Sequence, residues 1–264
     1  MLFANLKVSL LLANAYFSWK AWTPPVPPKS YHNELLKETE KKHKGAFIVT
    51  AVLLNVLYSA LCITEAVTIL ALQYPTHPAS QFILHTLLPS SLSHQTSNQL
   101  TTLQTLTGPF LLGTVSLLAG CLIRLHCFAQ LGKLFTFDFC IRKDHELITS
   151  GLYSHLRHPS YTGVLLHYFG SVLAQLVGRG AWLRETGVLS LHFSFSWGSE
   201  DILKEGGKWV VAALVGWYLL VTTARAVYVF PRAIDEDKGL RKEFGEKWDK
   251  YAERVRYRII PGVF

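Results

Sequence analysis

The sequence has little charge for its length. Of its 264 residues, 17% are Asp, Glu, Lys or Arg, whereas half are hydrophobic. Average soluble chains carry about 25% charged residues, so this composition excludes an ordinary soluble domain, and its richness in apolar residues excludes intrinsic disorder. The four cysteines form no Cys-x-x-Cys pair and have no spaced histidine partners, which argues against a zinc site or a disulfide framework. We interpret them as reduced packing residues and expect no metal.

Five apolar stretches predict membrane-spanning helices, because a bilayer core needs about 20 apolar residues per helix. They cover approximately 2–22, 46–73, 109–123, 159–178 and 209–224. The first contains two lysines and could be a signal peptide, but the tryptophans that end it favour a retained membrane anchor. The sequence therefore predicts an all-α integral membrane protein with about five transmembrane helices.

The positive charge is unevenly distributed and predicts an orientation. The net charge is +8, and 18 of the 26 Lys and Arg residues fall in 29–44, 133–157 and 232–264, whereas residues 74–108 contain no charged residue. The positive-inside rule predicts that the three basic segments lie in the cytosol, and that 74–108 and the amino terminus lie on the lumenal side. Because the basic segments flank apolar helices and also contain acids, we expect no nucleic-acid partner.

The first concentration of reactive side chains is residues 145–163, which read HELITSGLYSHLRHPSYTG. A Thr-Ser-Gly turn signal precedes Pro159, a residue that suits the first turn of a helix. Arg157 and His158 are therefore expected at the amino-terminal end of a membrane helix, where unpaired amides and the helix dipole favour an anion. The alternative is that they serve only as interfacial anchors.

The second concentration follows the last apolar stretch. Five apolar residues recur at helical spacing: Leu240, Phe244, Trp248, Tyr251 and Val255. They predict an amphipathic helix, interrupted by Gly245, that lies against the membrane surface or the cytosolic end of the bundle. Arg232 and the acidic run 235–237 directly follow a spanning helix, where ionisable groups are more often functional than decorative.

These two segments resemble, in the same order, the motifs of the isoprenylcysteine carboxyl methyltransferase family. The motifs are H-x-L-[VI]-T-x-G-x-Y-x-x-x-R-H-P-x-Y-x-G, and R-x-x-x-E followed by L-x-x-x-F-G-x-x-[WY]-x-x-Y-x-x-R-V. The resemblance implies an enzyme that transfers a methyl group from S-adenosylmethionine to the carboxylate of a carboxyl-terminal prenylated cysteine in a CaaX-processed protein or peptide. It also implies an endoplasmic reticulum membrane protein whose active site faces the cytosol, with membrane lipid as a further partner.

The resemblance implies individual roles as well. The cofactor-binding residues would be His145, Glu146, Leu147, Ile148, Tyr153, His158, Pro159, Ser160, Tyr161 and Glu236. Arg232 would bind the substrate carboxylate and is the expected catalytic residue. Because a carboxylate is already ionised at neutral pH, catalysis would rest on positioning rather than on a general base. The chain would then divide into amino-terminal transmembrane helices, 1–131, and a methyltransferase core, 132–264.

Three alternative functions stay open at this point. A related methyltransferase could act on another lipophilic acid or on a phospholipid amine, although Arg232 suits an anion better than an amine. A sterol reductase would need a nicotinamide nucleotide site, for which only scattered basic residues are present. A non-catalytic membrane lipid-binding relative would be expected to have lost Arg157, His158, Arg232 or Glu236, and all four are present.

Overall fold

The computed structural model describes residues 1–23, 38–88, 97–135, 146–186 and 201–264, which form helices joined by turns and loops and contain no β-strand. In chain order its helices are α1 (Leu2–Trp22), α2 (Glu38–Gln73), α3 (Pro78–Leu87), α4 (Ser97–Leu103), α5 (Gly108–Leu131), α6 (Pro159–Val172), α7 (Trp182–Glu185), α8 (Asp201–Phe244) and α9 (Glu246–Arg254). A π-helix, Leu173–Val177, continues α6, and 3₁₀ turns form at Gly132–Leu134 and Gly151–Ser154. The predicted all-α class is confirmed.

Among the described residues, three stretches are long and apolar enough to cross a membrane: Val49–Gln73, Leu100–Leu131 and Trp209–Phe244. They coincide with the second, third and fifth of the apolar stretches predicted from the sequence. Helices also form over the first and fourth stretches, as α1 and as α6 with its π-helical continuation. The chain is therefore an all-α membrane protein, and the count of five spans stays a prediction.

Two helices extend beyond their predicted limits. Helix α2 begins at Glu38, ahead of the predicted apolar stretch 46–73, and continues through it. Helix α8 runs through Pro231, although proline lacks an amide donor and usually interrupts a helix. The residues that follow Pro231 are rich in good helix formers, which accounts for the continuation.

The interruption predicted at Gly245 is confirmed. Helix α8 ends at Phe244, Gly245 adopts a φ of 52°, and α9 begins at Glu246. A positive φ is accessible to glycine without the steric penalty that a Cβ atom brings. The tail therefore consists of two helices separated by one left-handed residue.

The described chain forms two compact units, each made of three segments. Unit 1 comprises Met1–Tyr16, Leu54–Leu117 and Tyr168–Thr223; unit 2 comprises Phe17–Leu53, Leu118–His167 and Ala224–Phe264. The division into 1–131 and 132–264 stays a prediction.

A buried ion pair holds unit 1 together. The Lys7 Nζ atom lies 2.7 Å from Glu65 Oε1, and both side chains are fully buried. Nζ also donates hydrogen bonds to the carbonyl oxygens of Leu103 (2.8 Å) and Gly180 (2.7 Å), and it lies 4.9 Å from the centroid of the Phe110 ring. These partners explain how α1 carries a lysine within an apolar helix, because a charge in such surroundings needs partners within the bundle.

In unit 2, α5 and α6 pack with their backbones in close approach. A Cβ atom at Gly120 would lie 2.5 Å from the carbonyl oxygen of Gly163 and 2.7 Å from the amide nitrogen of His167. Small residues allow membrane helices to approach in this way. Farther along the same contact, Arg124 Nη1 donates to Ser160 Oγ at 3.1 Å. The close packing therefore brings the Arg124 side chain of α5 to the first turn of α6.

Candidate active site

Unit 2 encloses a cavity of about 190 Å³ with a mixed lining. The aromatic lining residues are Trp22, Phe135, Tyr153, Tyr161, Tyr228, Trp248 and Tyr251. The charged lining residues are Arg124, Glu146, Arg157, Arg225, Arg232 and Glu236, joined by His158. Aliphatic side chains complete the wall. Mostly apolar walls with a few placed polar groups are typical of small-molecule sites, and the arginines favour a ligand that carries a negative charge.

One wall of the cavity is a face of α8. Arg225, Val229, Arg232, Glu236 and Leu240 all line the cavity, and their spacing of three or four residues places them on the same side of the helix. Arg232 Nε donates to Glu236 Oε1 at 3.0 Å, and the two side chains are only 18% and 15% exposed. The pair therefore fixes a guanidinium and a carboxylate next to each other in the wall.

The first turn of α6 and the residue before it supply a second wall. Tyr161 donates its phenolic hydrogen to Glu236 Oε1, and His158 Nδ1 lies 3.4 Å from Glu236 Oε2. The His158 and Tyr161 rings are stacked, with centroids 5.6 Å apart and an interplanar angle of 19°. Together with Arg232, these side chains surround the Glu236 carboxylate with three donors, so its orientation is strongly constrained.

Asp237, the next residue of α8, connects three chain segments. Its carboxylate accepts hydrogen bonds from Arg157 Nη1 (2.7 Å), His158 Nε2 (2.8 Å) and Arg258 Nε (2.7 Å). The same segments are joined through the backbone, because the Arg157 amide donates to the Tyr257 carbonyl (3.0 Å) and the His158 amide donates to the Arg258 carbonyl (2.8 Å). The carboxyl-terminal segment is thus bound directly to the residues that precede α6.

Burial and hydrogen bonding shift the pKa values of the side chains around this cluster. Burial by itself lowers the pKa of His158, but hydrogen bonds to Asp237 and Glu236 outweigh this effect and raise the pKa above its ordinary value. Burial lowers the pKa of the Arg157 guanidinium and raises the pKa of the Tyr153 phenol. Arg157 remains protonated at neutral pH because an arginine pKa starts so high, and Tyr153 remains neutral.

Helix α9 completes the cavity. Its apolar face carries Trp248 and Tyr251, which are buried and pack against Leu147 and Leu240. The Tyr251 hydroxyl donates to the Tyr153 carbonyl oxygen at 2.8 Å. Of the two predicted surfaces for this amphipathic helix, the structure shows packing on the protein.

Most of the predicted site residues meet at this cavity. Nine of them line it: Glu146, Leu147, Ile148, Tyr153, His158, Ser160, Tyr161, Arg232 and Glu236. Pro159 begins α6 and is not among the lining residues, and His145 lies outside the described residues. Their proximity is an observation, whereas their individual roles stay predictions.

Sequence reasoning did not single out Trp22, Arg124 and Arg225, which also line the cavity. The guanidinium carbons of Arg124 and Arg225 lie 4.7 Å and 5.6 Å from the centroid of the Trp22 ring, within the range of cation–π attraction. A signal was present in the sequence, because each arginine interrupts an apolar run. Ionisable residues within membrane helices commonly mark a functional site.

Two curated proteins share segments of this sequence. Delta(14)-sterol reductase of Neurospora crassa is 26% identical over 125 residues, which are 45% of this chain and 24% of that protein. 7-dehydrocholesterol reductase of Arabidopsis thaliana is 36% identical over 61 residues, which are 21% of this chain and 13% of that protein. The chain therefore spans at most about a quarter of the length of these relatives. No solved structure matches it.

A comparison with protein-family models points to methyltransferases rather than to reductases. Residues 111–190 match the model described as the isoprenylcysteine carboxyl methyltransferase (ICMT) family. The matched stretch contains Arg124 and the whole of 145–163, and it therefore includes much of the cavity wall contributed by α5, the 3₁₀ turn and α6. The match agrees with the resemblance noted in the sequence motifs. Over residues 111–190, the chain is similar to the isoprenylcysteine carboxyl methyltransferase family.

Proposed function

We propose that the protein methylates the carboxylate of a carboxyl-terminal prenylated cysteine with S-adenosylmethionine as the methyl donor. The observation that carries this proposal is the placement of Arg232 and Glu236, one helical turn apart, in the same cavity as His158 and Tyr161. An arginine binds a substrate carboxylate with directional, charge-assisted hydrogen bonds. A neighbouring carboxylate binds the hydroxyl or ammonium groups of a cofactor. The similarity of residues 111–190 to the family model supports methyl transfer as the reaction, and the motif resemblance around Arg232 and Glu236 supports these two roles.

The chemistry of the lining residues fits S-adenosylmethionine. Tyr153, Tyr161 and Trp248 offer aromatic surfaces to an adenine ring. Glu236 Oε2 lies 3.4 Å from His158 Nδ1. Because it is a carboxylate oxygen, it can accept a further hydrogen bond from a ligand. Arg157 Nε is a buried donor with no hydrogen-bond partner among the described residues, and it suits a polar ligand atom. When bound, the cofactor supplies an electrophilic methyl group.

The residues of this chain then act mainly by positioning. Arg232 binds both oxygens of the substrate carboxylate and aims one of them at the methyl group. The Nε hydrogen bond to Glu236 limits rotation of the guanidinium, so its orientation is set before the substrate arrives. No side chain has to remove a proton, because the substrate carboxylate is ionised at neutral pH. Val164 and Val229 provide apolar surface for the prenyl chain.

We infer that the substrate reaches the site from lipid and the cofactor reaches it from the cytosol. A prenylated cysteine partitions into the bilayer, whereas S-adenosylmethionine is water-soluble, so the reaction requires a site where the two phases meet. The basic segments, which include Arg232, are expected on the cytosolic side by the positive-inside rule. The endoplasmic reticulum membrane is the proposed location, with membrane lipid and the prenylated protein or peptide as partners.

The test is a methyl-transfer assay on microsomes that contain the full chain. They receive labelled S-adenosylmethionine and a farnesylated cysteine analogue, and base-labile methyl ester is measured. We expect ester to form with this analogue. Microsomes that methylate a different lipophilic acid or a phospholipid amine, and not this analogue, would disprove the proposed substrate.

Arg232→Ala separates substrate binding from cofactor binding. We expect ester formation to be lost while S-adenosylmethionine binding persists, because Tyr161 and His158 still hold Glu236. Arg241→Ala is the matched control, since Arg241 is an exposed arginine of the same helix that pairs with Asp249. If Arg232→Ala lost ester formation and S-adenosylmethionine binding equally, and the control kept both, Arg232 would instead be assigned to the cofactor site.

A sterol reductase is the second candidate, because the two relatives named above are a sterol reductase and a dehydrocholesterol reductase. The same microsomes, supplied with a sterol substrate and reduced nicotinamide nucleotide in place of S-adenosylmethionine, distinguish the two. Reduced sterol without any methyl ester would favour the reductase. Because the family model matches residues 111–190, we expect the opposite result.

A further inference from the structure

We propose that Asp237 is a positioning residue that keeps His158 in its cationic form, so that His158 holds Glu236 in place across the neutral pH range. Asp237 itself does not line the cavity, whereas His158 and Glu236 do. It therefore acts on the ligand through its neighbours. The consequence for cofactor affinity rests on the proposed function, whereas the ionisation of His158 does not.

The geometry around the His158 ring carries the proposal. Nε2 lies 2.8 Å from Asp237 Oδ1 and Nδ1 lies 3.4 Å from Glu236 Oε2, and the side chain is only 7% exposed. Ionised carboxylates accept hydrogen bonds and cannot donate them. Both ring nitrogens must therefore carry a hydrogen to satisfy the two contacts, and an imidazole with two N–H groups is positively charged.

Opposing charges near the ring do not reverse this conclusion. The charged and titratable groups around it come from three segments: Arg232, Glu236 and Asp237 of α8, Arg157 and Tyr161 at the start of α6, and Arg258 of the carboxyl-terminal segment. The two carboxylates contact the ring nitrogens directly. The guanidiniums are hydrogen-bonded to those carboxylates, and the Tyr161 hydroxyl donates to Glu236, so attraction to the carboxylates dominates.

The sign of the pH dependence follows from the raised pKa of His158. Hydrogen bonding that favours the protonated ring is fully present at low pH and is lost as the pH rises through the pKa of the folded protein. Asp237→Asn removes one of the two carboxylates, so the pKa falls toward the ordinary histidine value of about 6.5. At higher pH the ring is neutral, so its contact with Glu236 is no longer charge-assisted and orients that carboxylate less strongly.

Asp235 provides a matched control on the same helix. It lies two residues before Asp237, but its side chain is 62% exposed and pairs with the exposed Lys238 at 3.0 Å. Asp235→Asn therefore makes the same chemical change without reaching the His158 ring. Asp237→Glu is the conservative variant, since it keeps the negative charge.

The experiment measures direct binding of S-adenosylmethionine to the purified full chain between about pH 6 and about pH 8.5, a range that brackets the ordinary pKa of histidine. Near the acidic end, we expect Asp237→Asn to bind S-adenosylmethionine as the wild type does. Near pH 8 we expect it to bind about tenfold more weakly, because His158 has lost one proton. Asp235→Asn should follow the wild-type profile throughout. Asp237→Glu should recover most of the alkaline affinity.

A second measurement tests the charge on His158 without any ligand. Histidine-labelled protein is titrated by NMR, and the His158 signals, one of 11 histidines, are assigned with His158→Gln. We expect the titration midpoint of His158 to be raised above the ordinary histidine pKa in the wild type and to be lower in Asp237→Asn than in the wild type. A wild-type midpoint at the ordinary histidine pKa would overturn the proposal, even if Asp237→Asn fails to fold.

Three other results of the binding measurements distinguish the possible roles of Asp237. If Asp237→Asn weakens binding by the same factor at every pH, Asp237 has a structural role only and the proposal fails. If the wild type binds no S-adenosylmethionine at any pH, the proposed function fails, and the NMR titration alone decides whether Asp237 keeps His158 charged. If Asp235→Asn shows the same alkaline loss as Asp237→Asn, the effect comes from the charge of α8 rather than from contact with the ring.

Discussion

The pairing of Lys7 with Glu65 shows how single residues stabilise unit 1. Each side chain is fully buried, and their separation is 2.7 Å. Burial of two charges is unfavourable unless each is paired and hydrogen-bonded. Besides Glu65, the lysine has two carbonyl acceptors, and Glu65 Oε2 accepts from the Trp182 amide at 3.3 Å. The ion pair thus joins α1 and α2 to the end of α4 and to the segment that leads into α7.

Glu65→Gln leaves the Lys7 charge buried without its anion. We expect a destabilisation of about 3–5 kcal/mol, the cost of breaking a buried pair from one side. Thermal unfolding of the detergent-solubilised protein, compared with the wild type, measures the effect as a lower Tm. The double variant Lys7→Met with Glu65→Leu should recover most of the loss, because apolar replacement removes both charges together. A double variant as unstable as Glu65→Gln would contradict this explanation.

The sequence identified Lys7 and Glu65 only as interruptions of apolar stretches. They are separated by 58 positions, and local spacing carries no information about contacts over such a distance. The candidate active site was more predictable, because His158, Tyr161, Arg232 and Glu236 fall in motifs with a known order. The contacts of Asp237 could not be predicted from the sequence, because its partners Arg258 and His158 come from two other segments of the chain.

At the scale of elements, the contact between α5 and α6 depends on glycine. A Cβ atom at Gly120 would meet the backbone of Gly163 at 2.5 Å, and backbone atoms cannot move without displacing the helix. A Cβ atom at Gly216 in α8 would instead point into open space, with no neighbouring atom within 4 Å. The two positions carry the same residue in helices, yet their surroundings differ completely.

Alanine substitution at these two glycines should have effects of opposite sign. We expect Gly120→Ala to lower the Tm because the helices must separate, and Gly216→Ala to raise stability by up to about 1 kcal/mol because alanine is the better helix former. Thermal unfolding of both variants is the measurement. A loss of stability in both would mean that helix propensity and packing space do not govern these positions.

Helix positions were predicted well, and helix limits less well. The apolar stretches and the glycine at 245 gave the central parts of α2, α5 and α8 and the start of α9, because hydrophobic runs and helix breakers act locally. The continuation of α8 through Pro231 was not predicted. Proline costs a helix one hydrogen bond, and the packing of residues 229 and 233 in the unit 2 core offsets that cost.

At the scale of the whole molecule, the unequal distribution of basic residues predicts an orientation. Residues 74–108 have no charged side chain, whereas 232–264 hold nine of the 26 Lys and Arg residues. The translocation of positive charge across a membrane is disfavoured, so we expect the basic tail in the cytosol. The predicted five spans would place the two chain ends on opposite sides.

Glycosylation acceptors placed at three positions test this orientation in microsomes. An Asn-x-Thr acceptor inserted at Thr76, which is exposed beside α3, should be glycosylated because 74–108 is expected in the lumen. An acceptor on a spacer before Met1 should also be glycosylated, and one on a spacer after Phe264 should not. Glycosylation after Phe264 but not before Met1 would reverse the orientation. Modification of both ends, or of neither, would require an even number of spans, and α1 or α6 would then not cross the membrane.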